Sequence, residues 1–172
     1  MTLDDINRLD HQGFVAALGG LFEGSPWIVE AAWERRPFAS EAALNEALCD
    51  VMYAASRDSQ VALLRAHPDL AGKLALAGKL SAASTREQAA AGLDGLTSEE
   101  LEEFSHLNAA YRDKFAFPFV MCARLSTKAS IRAAFVKRLT HGYDEEVRMA
   151  LDEVSKICAL RLHDLLADGS ET

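Results

Sequence analysis

The residues of this chain whose types and spacing could do chemistry fall in four short stretches. The first is His67-Pro68. Proline disfavours a helical residue before it, so a helix running from about Ser59 to Ala66 must end near His67. The carboxyl end of a helix favours positive charge and so favours the imidazolium. A side chain that exchanges a proton near neutrality suits acid–base work, although a plain helix cap is the commoner role of a lone histidine at such a position. The second stretch is Ser84-Thr85-Arg86-Glu87-Gln88. Ser84 and Glu87 have the spacing of a capping box. That geometry would also gather Ser84, Glu87 and Gln88 at a helix N-terminus, where unpaired N–H groups can meet a polar ligand. The third is Phe115-Ala116-Phe117-Pro118-Phe119-Val120. Aromatic residues around a proline make either a buried corner or a dry, flat wall for a planar ring, with backbone N–H groups available after the proline. The fourth is Arg161, which shares the apolar stripe Val147, Leu151, Val154, Cys158, Leu165. A guanidinium on a core-facing stripe needs an anion or several acceptors. A structural salt bridge would meet that need, and so would an anionic or polar small molecule.

The elements that must position these residues read as helices. Ala, Leu, Glu, Lys and Arg fill most of the chain, with only ten glycines and four prolines, and those are strong helix formers. No period-2 strand pattern stands out. Ser25-Pro26 reads as an N-cap followed by proline at the first helical position, with the helix running to about Arg36. Ser40-Glu41 opens the next helix. The Ala-rich piece from Ala71 to Gly92 reads as two short helices. Thr97-Ser98-Glu99-Glu100 is a capping box before the stripe Leu101, Phe104, Asn108, Tyr111, Phe115, on which Asn108 is the polar exception. Ser126 is expected to cap a helix to about Leu139, and Asp144 a last one to about Ala167. The expectation is an all-α single domain, residues 1–172, of eight or nine helices.

Composition excludes several classes. With 26 acidic against 18 basic residues and a formal charge of −8, a basic footprint for nucleic acid is absent. No apolar run reaches the ~20 residues that cross a bilayer. The acidic start, Met1-Thr2-Leu3-Asp4-Asp5, does not read as a secretory signal. Three widely spaced cysteines, Cys49, Cys122 and Cys158, read as reduced thiols of a cytoplasmic protein. None stands at a helix start of the kind that activates a thiol, which disfavours a cysteine-dependent hydrolase. The histidines form no spaced metal motif.

In combination, these segments resemble the 2-oxo-4-hydroxy-4-carboxy-5-ureidoimidazoline (OHCU) decarboxylases. The resemblance rests on Leu21-Phe22-Glu23 with Ser25-Pro26-Trp27, Arg36-Pro37-Phe38, His67-Pro68-Asp69-Leu70-Ala71, Ser84 with Glu87-Gln88, Ala91-Gly92-Leu93, Leu107-Asn108 with Tyr111, Phe117-Pro118-Phe119, and Arg138-Leu139 followed by Glu145 or Glu146. Each segment is weak alone; their order and spacing, from about residue 10 to 165, are specific. Ala116 stands where the family often has glycine, and Val120 where isoleucine is common. The resemblance implies an all-helical, cofactor-free, usually homodimeric enzyme that removes the carboxyl group of OHCU and delivers (S)-allantoin in urate breakdown. It implies His67 and Glu87 as catalytic residues. It also implies substrate contacts at Pro68, Ser84, Gln88, Phe119, Val120 and Arg161, and no metal. A non-catalytic helical domain that binds a small polar metabolite or a partner helix is the alternative from another class.

Overall fold

Short polar side chains that accept the first orphan N–H groups set the helix starts of this chain. The computed structural model describes residues 1–72 and 78–167. Among them are nine α-helices and three 3-10 turns, with no strand: the all-α class expected. The α-helices are α1 (Leu3–Arg8), α2 (His11–Leu18), α3 (Trp27–Ala32), α4 (Glu41–Ala54), α5 (Arg57–Ala66), α6 (Ala82–Ala90), α7 (Ser98–Phe115), α8 (Lys128–Arg138) and α9 (Tyr143–Ala167). No described helix is long and apolar enough to cross a membrane.

Two of the expected caps stand as read. Ser40 Oγ accepts from the Ala43 N–H at 3.1 Å. Thr97 and Glu100 exchange both bonds of a capping box at the head of α7. Four others move along the chain, among them Asp144, which lies inside the first turn of α9 because that helix begins at Tyr143. α3 begins at Trp27, after a Pro26 already in the helical region, and gives way at Trp33 to a 3-10 turn that ends at Arg35. Thr127, not Ser126, caps α8 and closes a capping box with Ser130. α6 begins at Ala82 because Ser81, not Ser84, accepts the capping bond, from the Ser84 N–H. At α6 and α8 two neighbouring hydroxyl residues could serve, and the one that accepts from the N–H three residues on takes the role. The first of the two short helices expected between Ala71 and Gly92 falls partly on residues 73–77, outside the described residues.

The helices divide into two units. The first holds residues 1–66 and the stretch from Val154 onward. Here α3 packs on α2 and α4 around Phe14, Leu18, Ile28, Val29, Leu44 and Leu48. The second holds residues 67–153. In it α7 lies against α8, and α6 against the 3-10 turn Ala123–Leu125. Its core is aromatic: Phe104, Tyr111, Phe115, Phe117, Phe119 and Phe135 are all nearly inaccessible to solvent. The Tyr111 ring meets Phe115, Phe117, Phe119 and Phe135 within about 6 Å, the spacing at which edge-to-face packing adds to simple burial.

Candidate active site

Seven of the eight residues singled out from the sequence lie in the second unit. His67 follows the last residue of α5 and is buried, with Pro68 half-buried beside it. The chain then makes a tight turn. Ala71 adopts a left-handed conformation, φ 51°, and a Cβ on Gly72 would sit 2.5 Å from the Asp69 Cβ, so only glycine fits there. Side chains from two helices hold this turn. From α6, Gln88 Oε1 accepts from the Ala71 N–H at 3.0 Å, and Gln88 Nε2 donates to the Asp69 carbonyl at 3.2 Å. From α7, Asn108 Nδ2 donates to the Leu70 carbonyl at 2.9 Å, and Arg112 Nε pairs with the Asp69 carboxylate at 2.9 Å.

Gln88 thus joins the His67 turn to the helix that carries Ser84 and Glu87. Positions i, i+3 and i+4 share one helix face. Ser84 and Gln88 are buried on it and Glu87 is half-buried. Because Ser81 caps the helix, Ser84 occupies its third position and its hydroxyl is not the cap. Past the far end of α6, Gly92 turns the chain with φ 76°. Its N–H bonds the Ala89 carbonyl and the Leu93 N–H bonds the Gln88 carbonyl, the pattern of a helix closed by glycine.

The Phe119–Val120 segment precedes the 3-10 turn on which α6 packs. Phe119 is buried, stacked on Phe135 with ring centroids 3.7 Å apart, and the Arg138 guanidinium lies 4.3 Å above its ring. Arg138 Nη1 donates to the Val120 carbonyl at 2.7 Å. Two residues on, the Cys122 N–H donates to the buried Glu153 carboxylate at 2.8 Å. The segment is therefore fixed from both sides by charged side chains.

Arg138 belongs to a buried cluster that sequence reasoning missed. Its Nε donates to Glu146 Oε1 at 2.6 Å, and Tyr111 donates its hydroxyl proton to the same oxygen. His141 Nδ1 lies 2.9 Å from the other oxygen, Oε2. The Arg138 and Glu146 side chains are 5% and 0% exposed, so the pair sits in a medium where one charge without the other would be costly. Burial pushes the Tyr111 hydroxyl far above its ordinary pKa, with the Arg138 charge opposing that shift. The signal was legible: Ile131, Phe135 and Arg138 share one stripe of α8, the same pattern that drew attention to Arg161.

Arg161 lies in the first unit. Its Nη2 is 3.1 Å from the Glu23 carboxylate, and Nη1 donates to the Gly20 and Leu21 carbonyls at 3.3 and 3.5 Å. The acid and acceptors that its buried position demands are thus supplied by the segment Gly20–Glu23. In the same unit the Cys158 thiol is driven up by burial, and Cys49 is pushed up to about 11, mainly by burial with the Asp50 charge adding to it. Neither thiol is poised as a nucleophile. Among the described residues, no group of three or more His, Cys, Asp or Glu residues could hold a metal ion. A surface depression of about 390 Å³ in the second unit, lined among others by Glu100, Phe104, Thr127, Lys128 and Arg132, contains none of the predicted site residues.

Comparison with known proteins agrees with the sequence resemblance. A family model described as OHCU decarboxylase matches residues 7–163. A 2-oxo-4-hydroxy-4-carboxy-5-ureidoimidazoline decarboxylase of Haloferax volcanii is 44% identical over 162 residues, 94% of each chain. One from Mus musculus is 40% identical over 172 residues, the whole of this chain and 97% of its own. Among solved structures, one described as (S)-allantoin synthase superposes with a TM-score of 0.78 at 30% identity, covering 96% of this chain and 54% of that one.

Proposed function

The chain belongs to the OHCU decarboxylase family, and from that premise we propose that it decarboxylates OHCU to (S)-allantoin. The observation that carries this reading is the tie between α6 and the His67 turn. One glutamine amide, Gln88, fixes the turn that begins at His67 to the helix presenting Ser84 and Glu87. An imidazole, a carboxylate and a hydroxyl are thereby carried on two elements held in register, as positional catalysis requires.

The reaction suits such a site. When the bond to the carboxylate breaks, CO2 leaves and the electron pair moves into the neighbouring ring C=N, whose nitrogen takes up a proton. The resulting enol then gains a proton at the ureido-bearing carbon and loses its hydroxyl proton to become a carbonyl. The substrate's own C=N is the electron sink. The protein's part is to orient the ring, favour loss of the carboxylate perpendicular to the ring plane, and move protons on one face. We assign acid–base work to His67, with Glu87 orienting the imidazole or the substrate hydroxyl. Pro68, Ser84, Gln88, Phe119 and Val120 shape the surrounding pocket, and N–H groups near Phe119 and Val120 meet substrate oxygens. Phe119, fixed by Phe135 and Arg138, is the dry wall that strengthens electrostatic contacts. Arg161, which the family resemblance also offers as a substrate contact, pairs with Glu23 within the first unit. The reading extends to a homodimer acting in the cytoplasm, the whole chain serving as one catalytic domain.

The test is direct. Freshly generated OHCU decays unaided to racemic allantoin, so only enzymatic turnover gives an optically active product. Incubation with the protein should produce a circular dichroism signal of (S)-allantoin. His67→Asn should remain folded and lose about 10²-fold or more in rate. Normal turnover by that variant removes His67 from the chemistry, and absence of any dichroic product with the unaltered protein leaves a metabolite-binding helical domain.

A further inference from the structure

Asn108 is the polar exception on the otherwise apolar buried stripe of α7, and it is only 6% exposed. Its amide is half used. Nδ2 donates to the Leu70 carbonyl at 2.9 Å, whereas the fully buried Oδ1 has no hydrogen-bond partner. The acceptor of Nδ2 fixes which way the amide points. An unsatisfied buried acceptor costs more than one neutral hydrogen bond returns, and an apolar residue at this position would continue the stripe. Asn108 is therefore a poor choice for stability, and its value must lie in what it holds.

It holds the middle of the His67–Ala71 turn. Three consecutive residues of this turn are gripped by side chains: the Asp69 carbonyl and Ala71 N–H by Gln88, and the Leu70 carbonyl by Asn108. Gln88 approaches from α6 and Asn108 from α7. The left-handed Ala71 needs such restraint, because an L residue with a side chain leaves that conformation readily. We propose that Asn108 is a positioning residue: it completes a two-helix clamp that sets the path of the turn and so the placement of the His67 ring. The inference rests on the decarboxylase reading for its catalytic consequence, but the clamp itself is independent of it.

Asn108→Leu keeps the shape and removes the grip. The variant should fold with a melting temperature within a few degrees of the wild type, because one buried orphan replaces another. Its kcat should fall about tenfold or more, with KM within twofold, the signature of a displaced reacting group. Asn108→Asp supplies a conditional rescue. A buried carboxyl keeps its proton to higher pH than usual and in that form donates to the Leu70 carbonyl; the carboxylate would repel it. The ratio of Asn108→Asp to wild-type kcat should therefore rise as pH falls. The titratable groups of the turn and the clamp helices, His67, Asp69, Arg86, Glu87, Glu99, Glu100, Glu102, Glu103, His106, Tyr111, Arg112, Asp113 and Lys114, are common to both proteins and divide out. Hydrogen exchange at the Ala71 amide, faster in Asn108→Leu than in wild type, reads the clamp without catalysis.

Wild-type kcat in Asn108→Leu together with unchanged exchange at Ala71 overturns the proposal. So does a flat Asn108→Asp ratio across pH, which decides the matter if Asn108→Leu does not fold. If the unaltered protein fails to decarboxylate OHCU, the functional reading falls while the exchange measurement still supports or overturns the clamp.

Discussion

Among the described residues the most deeply buried charge is Glu146, whose carboxylate accepts from Arg138 and Tyr111 and faces His141. Three neighbouring groups for one carboxylate explain how it tolerates complete exclusion from water. They also give Arg138 its orientation, and Arg138 in turn holds the Val120 carbonyl and covers the Phe119 ring. Glu146→Gln leaves the Arg138 charge uncompensated. Such a change should cost about 3–5 kcal/mol, read as a lower denaturation midpoint at unchanged denaturant dependence. Replacing both partners, Arg138→Met with Glu146→Leu, should cost less than the sum of the single changes, because neither charge is then left alone. An additive double variant would mean that the pair is not coupled. The same reasoning separates two arginines that look alike in sequence. Arg138 and Arg161 both occupy apolar stripes, and both meet a glutamate, Glu146 and Glu23 respectively. Their position on a stripe announced a buried cation; which acid met each one depended on chain segments brought close by folding.

At the scale of elements, helix ends decide how the site is held. α7 ends at Phe115, and Ala116 then takes a left-handed conformation, φ 60° and ψ 20°. Glycine would hold this conformation without strain, since an L residue with a side chain pays about 1–2 kcal/mol there. Ala116→Gly removes that strain and adds back some disorder to the unfolded chain, about 0.5–1 kcal/mol. The exposed methyl group makes no core packing to lose. The net gain should be up to about 1 kcal/mol, or ~2–4 °C in melting temperature for a chain of this size. A lower melting temperature would show that the methyl group is needed. Helix existence was legible throughout, because 3.6-residue periodicity and Ser or Thr starts agree. Exact starts were less so. At Ser81 and Ser84, and at Ser126 and Thr127, two hydroxyl residues compete, and the side-chain type does not reveal which one accepts the capping bond. Gln88 illustrates the matching limit for the site. Its place on the Ser84 face was visible, but its two bonds to the Asp69–Ala71 turn span 17 and 19 residues, and no local pattern encodes such pairings.

For the molecule as a whole, the titrating groups are unevenly placed. The carboxylates with lowered pKa, Asp5 and Glu100, sit at exposed capping boxes. Asp5 is lowered chiefly by the Thr2 backbone N–H, and Glu100 chiefly by Lys128. Their contribution is present above the ordinary carboxylate range and lost as pH falls through their folded values, but Asp5 is exposed and Glu100 partly so, and the acid limb they produce should be shallow. The opposite limb is governed by buried acids. Cys49, Cys158 and Tyr111 all have pKa values raised by burial, Cys49 to about 11. Unfolding restores them to about 8.5 for the thiols and about 10 for the phenol. Between those values and the folded ones, the unfolded state has released protons that the native state keeps. The contribution of these three groups is therefore full below about pH 8 and declines as pH rises. The decline should steepen toward pH 10, where unfolding releases close to one proton from Cys158, a lesser share from the more exposed Cys49, and the first part of one from Tyr111. Chemical denaturation at intervals from pH 7 to 10 measures that proton release directly from the slope of stability against pH. Replacing Cys158 with alanine should lower stability at neutral pH through the cavity it leaves, yet flatten the alkaline slope by nearly one proton. An unchanged slope in that variant would place the alkaline sensitivity in some other group.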